Sequence, residues 1–266
     1  MITTFDSKVA KRDLFLLILL LGCISSLFSD SVPQKKTEVH NWFKSFFNSG
    51  EMFLKRGDFQ DAIVEFKKSL RLAEEYKNSE GWILSSMRLG LLYWNIGQLD
   101  LSSEFYEKAR VKAEKFELWE SEEECQHLLD IYEQYSKGKE FRLSGQHQKS
   151  IESFQNAIIL ARKIKSAAHE AKCMRQMSIT FWEMDNLNKF YELNEDALEL
   201  AKKLNHKKEE GRCLNNIGIF YMELNEYSKA LFFFLNSLAI AQVTGNSKQE
   251  TKCLNNIGLL YTYTGD

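Results

Sequence analysis

Proline is almost missing from this 266-residue chain, with Pro33 the single example. Only 13 glycines accompany it. So few backbone breakers point to an all-helical protein. Charge of one sign is also lacking: 35 basic residues against 37 acidic ones leave a net charge of -2. Without a basic surplus, nucleic acid is not expected as a partner. Five cysteines, at positions 23, 125, 173, 213 and 253, match no CxxC or zinc spacing and are too sparse for a disulfide scaffold. Catalytic motifs are missing too. His169-Glu170-Ala171-Lys172-Cys173 lacks the second histidine that a zinc-binding HExxH helix requires, and no GxxxxGK[ST], GxGxxG or GxSxG occurs. No enzyme activity, cofactor or metal is therefore expected.

A long apolar run occurs once, at Leu14–Phe28 (LFLLILLLGCISSLF). Lys8, Lys11 and Arg12 precede it, and Ser25, Ser26, Ser29 and Asp30 lie at or beyond its end. A basic flank, a short apolar stretch and small residues describe a signal peptide or an N-terminal membrane anchor over residues 1–30. The run is shorter than the roughly 20 residues of a membrane span. Leu20-Leu21-Gly22-Cys23 resembles a bacterial lipobox, which makes Cys23 the candidate lipidation site. This reading sends the chain to the exported side of a membrane, with a tether at its N-terminus. Four unpaired cysteines beyond the leader sit uneasily with an oxidising compartment, so a cytoplasmic location is the alternative.

After a linker at 31–42 the chain repeats. Cys213-Leu-Asn-Asn-Ile-Gly218 returns unchanged as Cys253-Leu-Asn-Asn-Ile-Gly258, at an offset of 40 residues. Earlier copies align through Gly50 with Phe53, Gly90 with Tyr93, Gly138 with Phe141 and Ser178 with Phe181. Units thus start near 43, 83, 131, 171, 211 and 251, with the sixth ending at Asp266 before a second helix. That predicts continuation beyond this residue. Within a unit the apolar and small residues keep helical spacing, as in Leu214, Ile217, Gly218 and Tyr221, then Ala230, Phe234, Ser237 and Ala241. Each unit reads as two helices. Eight extra residues near Glu117–Glu124 amount to about two helical turns, either lengthening the flanking helices or forming a solvated acidic excursion. Unit four carries Phe190 and Asn194 where Ala and Phe stand elsewhere, so its second helix is expected to pack less well.

The pattern of small, aromatic, small, aromatic and small residues resembles the tetratricopeptide repeat, most closely the forty-residue class of kinesin light chains and bacterial signalling proteins. The resemblance covers residues 43–266. It implies a right-handed, all-α solenoid of about five and a half helix-turn-helix repeats that binds proteins or extended peptides on its concave face. Cys173, Cys213 and Cys253 share one repeat position. Neighbouring helices stack about 10 Å apart, too far for a disulfide ladder, so these cysteines read as small packing residues.

Positions 2 and 6 of the first helices lie on one face. They hold Lys172 with Gln176, Arg212 with Asn216 and Lys252 with Asn256, and position 5 adds Asn215 and Asn255 after Arg175. A cation beside a carboxamide can hold a carboxylate while the amide pairs with an extended backbone. These eight residues, Arg175 apart, are the expected peptide-binding ladder, exposed to solvent. A second candidate surface is an apolar interface patch of Phe232, Phe233 and Leu235 on the opposite face. The leading expectation is a non-enzymatic peptide- or protein-binding module, exported and membrane-tethered, for which self-association is open. Two alternatives stand beside it: the sensory or oligomerising arm of a larger signalling enzyme (histidine kinase, cyclase or CHAT-type protease), and a structural envelope lipoprotein.

Overall fold

The computed structural model describes residues 41–265. The leader over 1–30, with Cys23, and nearly all of the 31–42 linker lie outside the described residues. Among the described residues there are eleven α-helices and no strand. They are α1 (41–56), α2 (Phe59–Glu75), α3 (Ser79–Ile96), α4 (Leu99–Lys115), α5 (Trp119–Leu143), α6 (His147–Lys163), α7 (Ala167–Glu183), α8 (Leu187–Lys203), α9 (Lys207–Glu223), α10 (Tyr227–Val243) and α11 (Ser247–Thr264). Each helix packs on its successor, and α5, α7, α9 and α11 also touch in order. The odd-numbered helices therefore form one layer and the even-numbered helices another, as an α-solenoid requires.

The short turns work without proline. Every connection passes through one left-handed residue, which is glycine at 57, 97, 145 and 245 but Lys77, Glu117, Lys165, Asp185, Asn205 or Asn225 elsewhere. The chain beyond that residue turns back at once, and the next helix starts within one or two positions. Asn78, Asn186 and Asn246 then accept a backbone N–H from the first turn of α3, α8 and α11, satisfying donors that the helix itself leaves free.

What holds each pair together is a glycine against an aromatic ring. A Cβ added at Gly50 would lie 2.9 Å from Phe66, at Gly90 2.4 Å from Tyr106, at Gly138 2.8 Å from Phe154 and at Gly218 2.6 Å from Phe234. All four rings are fully buried. Each contributes on the order of 2–3 kcal/mol of apolar burial, which a side chain at the facing position would obstruct. The sequence pattern thus has a direct steric cause.

Unit four solves the same problem differently, and the expected weak packing is not found. Phe190 fills the space and is 2% exposed. Asn194 is wholly buried, and its amide nitrogen donates to Ser178 Oγ at 2.8 Å and to the Phe190 carbonyl at 2.6 Å. Its oxygen accepts from Asn216 at 3.0 Å. With partners on both ends of the amide, the polar substitution carries little desolvation penalty.

The eight extra residues lengthen one helix. α5 has 25 residues where α7 and α9 have 17, and the surplus precedes Gly138, so it forms two additional N-terminal turns. Two turns carry α6 about 12 Å further along the axis than a standard helix would. Beyond this step the solenoid curls onto its own start. Asn205 in the α8–α9 turn donates to the Arg56 carbonyl at 2.7 Å, and the His206 ring meets Phe59 edge-on at 4.8 Å. A side chain on Gly57 would strike the Asn205 carbonyl at 2.6 Å, so this contact too depends on a missing Cβ. On the inner side Lys172 donates to the Trp94 carbonyl at 2.6 Å, joining α7 to the end of α3.

Candidate functional site

Curling encloses a polar cavity of about 320 Å³ on the inner face. Its wall comes from α5, α7, α9 and α11, with Gly97 and Leu99 closing one end. Repeat positions 2, 5, 6 and 9 fall on a single helical face, so successive inner helices present them side by side. Of the eight ladder residues, Lys172, Gln176, Arg212, Asn215, Asn216 and Lys252 line this space, whereas Asn255 and Asn256 do not. Lys139, Arg175, Lys248 and Gln249 join them.

Exposure differs from the expectation along the ladder. Lys172 is 6% exposed, and Gln176 and Asn215 are also buried. Arg212, Asn216 and Asn256 are half-buried, while Lys252 and Asn255 reach solvent. The asparagines are held by one another: Asn216 donates to Asn194, and Asn256 donates to Asn215 at 3.0 Å. Much of the recurring Asn pattern is therefore accounted for by contacts between neighbouring helices. Gln176, with its oxygen turned inward, accepts from the Arg175 guanidinium at 2.8 and 3.1 Å.

Paired with two of the lining cations lies Glu209, 2% exposed. Burial raises the pKa of a carboxyl group, but Arg175 and then Arg212 outweigh that here and hold Glu209 well below its ordinary range. Arg175 Nε donates to one carboxylate oxygen, and Arg212 donates to the other at 2.9 Å. One anion thus serves two cations. Among the described residues no carboxylate pairs with Lys172. Burial, reinforced by Arg212 and Arg175 against the pull of Glu209, pushes it down to about 7. Its charge rests on the Trp94 ring at 4.4 Å and the Tyr135 ring at 5.6 Å, besides the Trp94 carbonyl. Lys252 is lowered by partial burial and then by Arg175, Lys248 and Arg212. Among the described residues no carboxylate lies within 4.0 Å of Lys139, Lys248 or Lys252. Such a wall attracts anions.

The three patch residues differ in exposure. Phe232 is 62% exposed and Leu235 also faces solvent. Phe233 is half-buried between them and the core: it meets Phe232 edge-on with ring centres 5.4 Å apart and stacks on Tyr221 at 5.3 Å. The four cysteines at 125, 173, 213 and 253 are buried and free. Among the described residues no group of three or more His, Cys, Asp or Glu could hold a metal, and no helix is long and apolar enough to cross a membrane.

A family model for the tetratricopeptide repeat matches residues 85–109, the part of unit two that runs from α3 into α4. No curated protein matches. Among solved structures the chain is similar to BtubC (BKLC) from P. vanneervenii, at 17% identity over 86% of this chain and 85% of that one, with a TM-score of 0.43. It is also similar to a signal transduction ATPase with numerous domains, carrying a tetratricopeptide repeat sensor, from Pyrococcus horikoshii. There the identity is 18%, the coverage 85% of this chain and 33% of that one, and the TM-score 0.48. A Rap protein complexed with competence and sporulation factor matches at 15% identity over 89% and 68% of the two chains, with a TM-score of 0.44. The forty-residue sequence repeat, the glycine-on-aromatic helix pairs and the matched unit at 85–109 together support an all-α solenoid of tetratricopeptide-type repeats.

Proposed function

We propose that this solenoid is a non-enzymatic module that captures a protein or peptide partner through its concave face. The observation that carries this is the convergence of four inner helices on one polar, cationic cavity in a chain whose net charge is -2. Evenly scattered charge would not gather its cations on one wall. A partner segment enters with acidic side chains or a terminal carboxylate among Arg212, Lys248 and Lys252, and the exposed amide of Asn255, on the same face beyond the cavity, meets its backbone. The outer patch of Phe232 and Leu235 is a second, smaller contact surface.

We assign the leader, with Cys23, to export and tethering at a membrane surface, on the strength of its basic flank and apolar run. Fractionation that leaves the unprocessed chain in the cytosol overturns this placement. Unchanged lipid labelling in Cys23→Ala, or none in the parent, removes the lipobox. For the concave face, the test is selection of binders from a random peptide display. Enrichment of acidic sequences that lose affinity with added salt supports the assignment. Enrichment of apolar sequences insensitive to salt moves binding to Phe232 and Leu235.

A further inference from the structure

The cavity holds more positive charge than a carboxylate can answer. Lys139, Arg175, Arg212, Lys248 and Lys252 contribute five cationic side chains and Lys172 a sixth when protonated, and among the described residues Glu209 is the carboxylate that pairs with any of them. They arrive from four different helices, so their N–H groups converge from several directions and not in one plane. Glu209 fixes both guanidinium groups, and while Arg175 also donates to Gln176, Arg212 keeps N–H donors beyond its ion pair, preorganised before any ligand arrives. The volume, about 320 Å³, takes a compact group with a few waters and excludes a long chain.

A monocarboxylate neutralises one of these charges and presents acceptors in a single plane. A phosphoryl group carries about -1.5 to -2 at neutral pH and offers three terminal oxygens. We infer that the concave cavity is a phosphoryl-binding site, with Arg212, Lys248 and Lys252 contacting the group directly and Lys172 and Arg175 supplying the field behind them. The inference rests on the concave face being the binding surface. Within that face it names the anchor as a phosphoryl group, carried either by a phosphorylated side chain of a partner or by a free phosphate ester.

The test is calorimetric titration of the 266-residue chain at constant ionic strength. Probes are inorganic phosphate, pyrophosphate, a phosphoserine tetrapeptide, its unphosphorylated form, and succinate. Variants are Lys248→Gln/Lys252→Gln in the cavity and Lys67→Gln/Lys202→Gln outside it. All four lysines are exposed, so folding should survive each change. The proposal expects saturable one-to-one binding of pyrophosphate, weakened at least ten-fold in the cavity pair and less than two-fold in the control pair. A phosphopeptide that binds at least ten-fold tighter than phosphate makes a partner side chain the source. Equal affinities make it a free ester. Equal losses in both lysine pairs, succinate binding as tight as pyrophosphate, or no saturable binding each overturn the assignment. If the small anions fail while a displayed acidic peptide still binds the concave face, the phosphoryl anchor falls and the peptide groove stands.

Discussion

Adding one methyl group at the same repeat position should have opposite effects in two neighbouring units. At Gly218 a new Cβ would sit 2.6 Å from Phe234 Cδ1 and Cε1. Ordinary carbon contacts are about 3.5–4.0 Å, so the ring must move roughly 1 Å. Phe234 is fully buried and cannot swing into solvent. Such overpacking costs about 1–3 kcal/mol, set against a gain of about 1 kcal/mol because alanine favours a helix over glycine. Gly218→Ala should therefore lose up to about 2 kcal/mol. At Gly258, one repeat later, nothing lies within 4 Å of the same Cβ. Gly258→Ala should gain up to about 1 kcal/mol, less if the end of α11 frays. Urea denaturation of parent and both variants reads the difference, and Gly218→Ala/Phe234→Leu should recover part of the loss through coupling. If both alanines stabilise equally, the glycine-on-ring contact is not what sets the helix separation.

Acid should weaken the fold before ordinary carboxylates titrate. Burial pushes His169 down to about 3 and His206 to about 4, so between pH 6.5 and those values the unfolded chain binds more protons. Their contribution is complete above pH 6.5 and is lost as pH falls, at up to about 1.4 kcal/mol per pH unit for each histidine. Urea midpoints at pH 7 and 5.5 check this, and His169→Gln should flatten the slope. Lys172 continues the trend above pH 7, where the folded chain gives up a proton that the unfolded chain keeps until about 10.4, so stability should rise from pH 7 to 9. Glu209→Gln leaves the buried Arg175 and the half-buried Arg212 without their anion and should cost about 3–5 kcal/mol in thermal or urea melts, an effect absent if the cluster is hydrated. Glu117→Gly relieves a left-handed residue at φ 56° and should add about 1 kcal/mol to the denaturation free energy.

The repeat was legible because its cause is local. Glycine faces an aromatic side chain within one unit, and the spacing between them survives any curvature of the whole. Phe190 and Asn194 read as a defect because their remedy is three-dimensional: the asparagine finds Ser178 and Asn216 on other helices. The cavity was half legible for a similar reason. Positions 2, 5 and 6 gave Lys172, Arg212 and Lys252, but unit boundaries drawn at 171, 211 and 251 cut off the first turn of each inner helix. Glu209 and Gln249 stand one repeat apart in that missing turn, as does His169, and all three are buried. An alignment begun four residues earlier would have stacked them. Lys139, at position 9, is one turn beyond the positions considered. Nothing in the periodicity foretold the closure of Asn205 onto Arg56, which depends on where two added turns in α5 direct the following helices.

Affinity for one peptide, chosen from display for tight binding, tests the concave face most directly. Titrated into parent, Lys248→Gln/Lys252→Gln and Phe232→Asp chains, it should lose at least ten-fold in the cavity variant, equivalent to about 1.4 kcal/mol, and be unchanged in the Phe232 variant. Affinity retained in the cavity variant and abolished in Phe232→Asp would contradict the account.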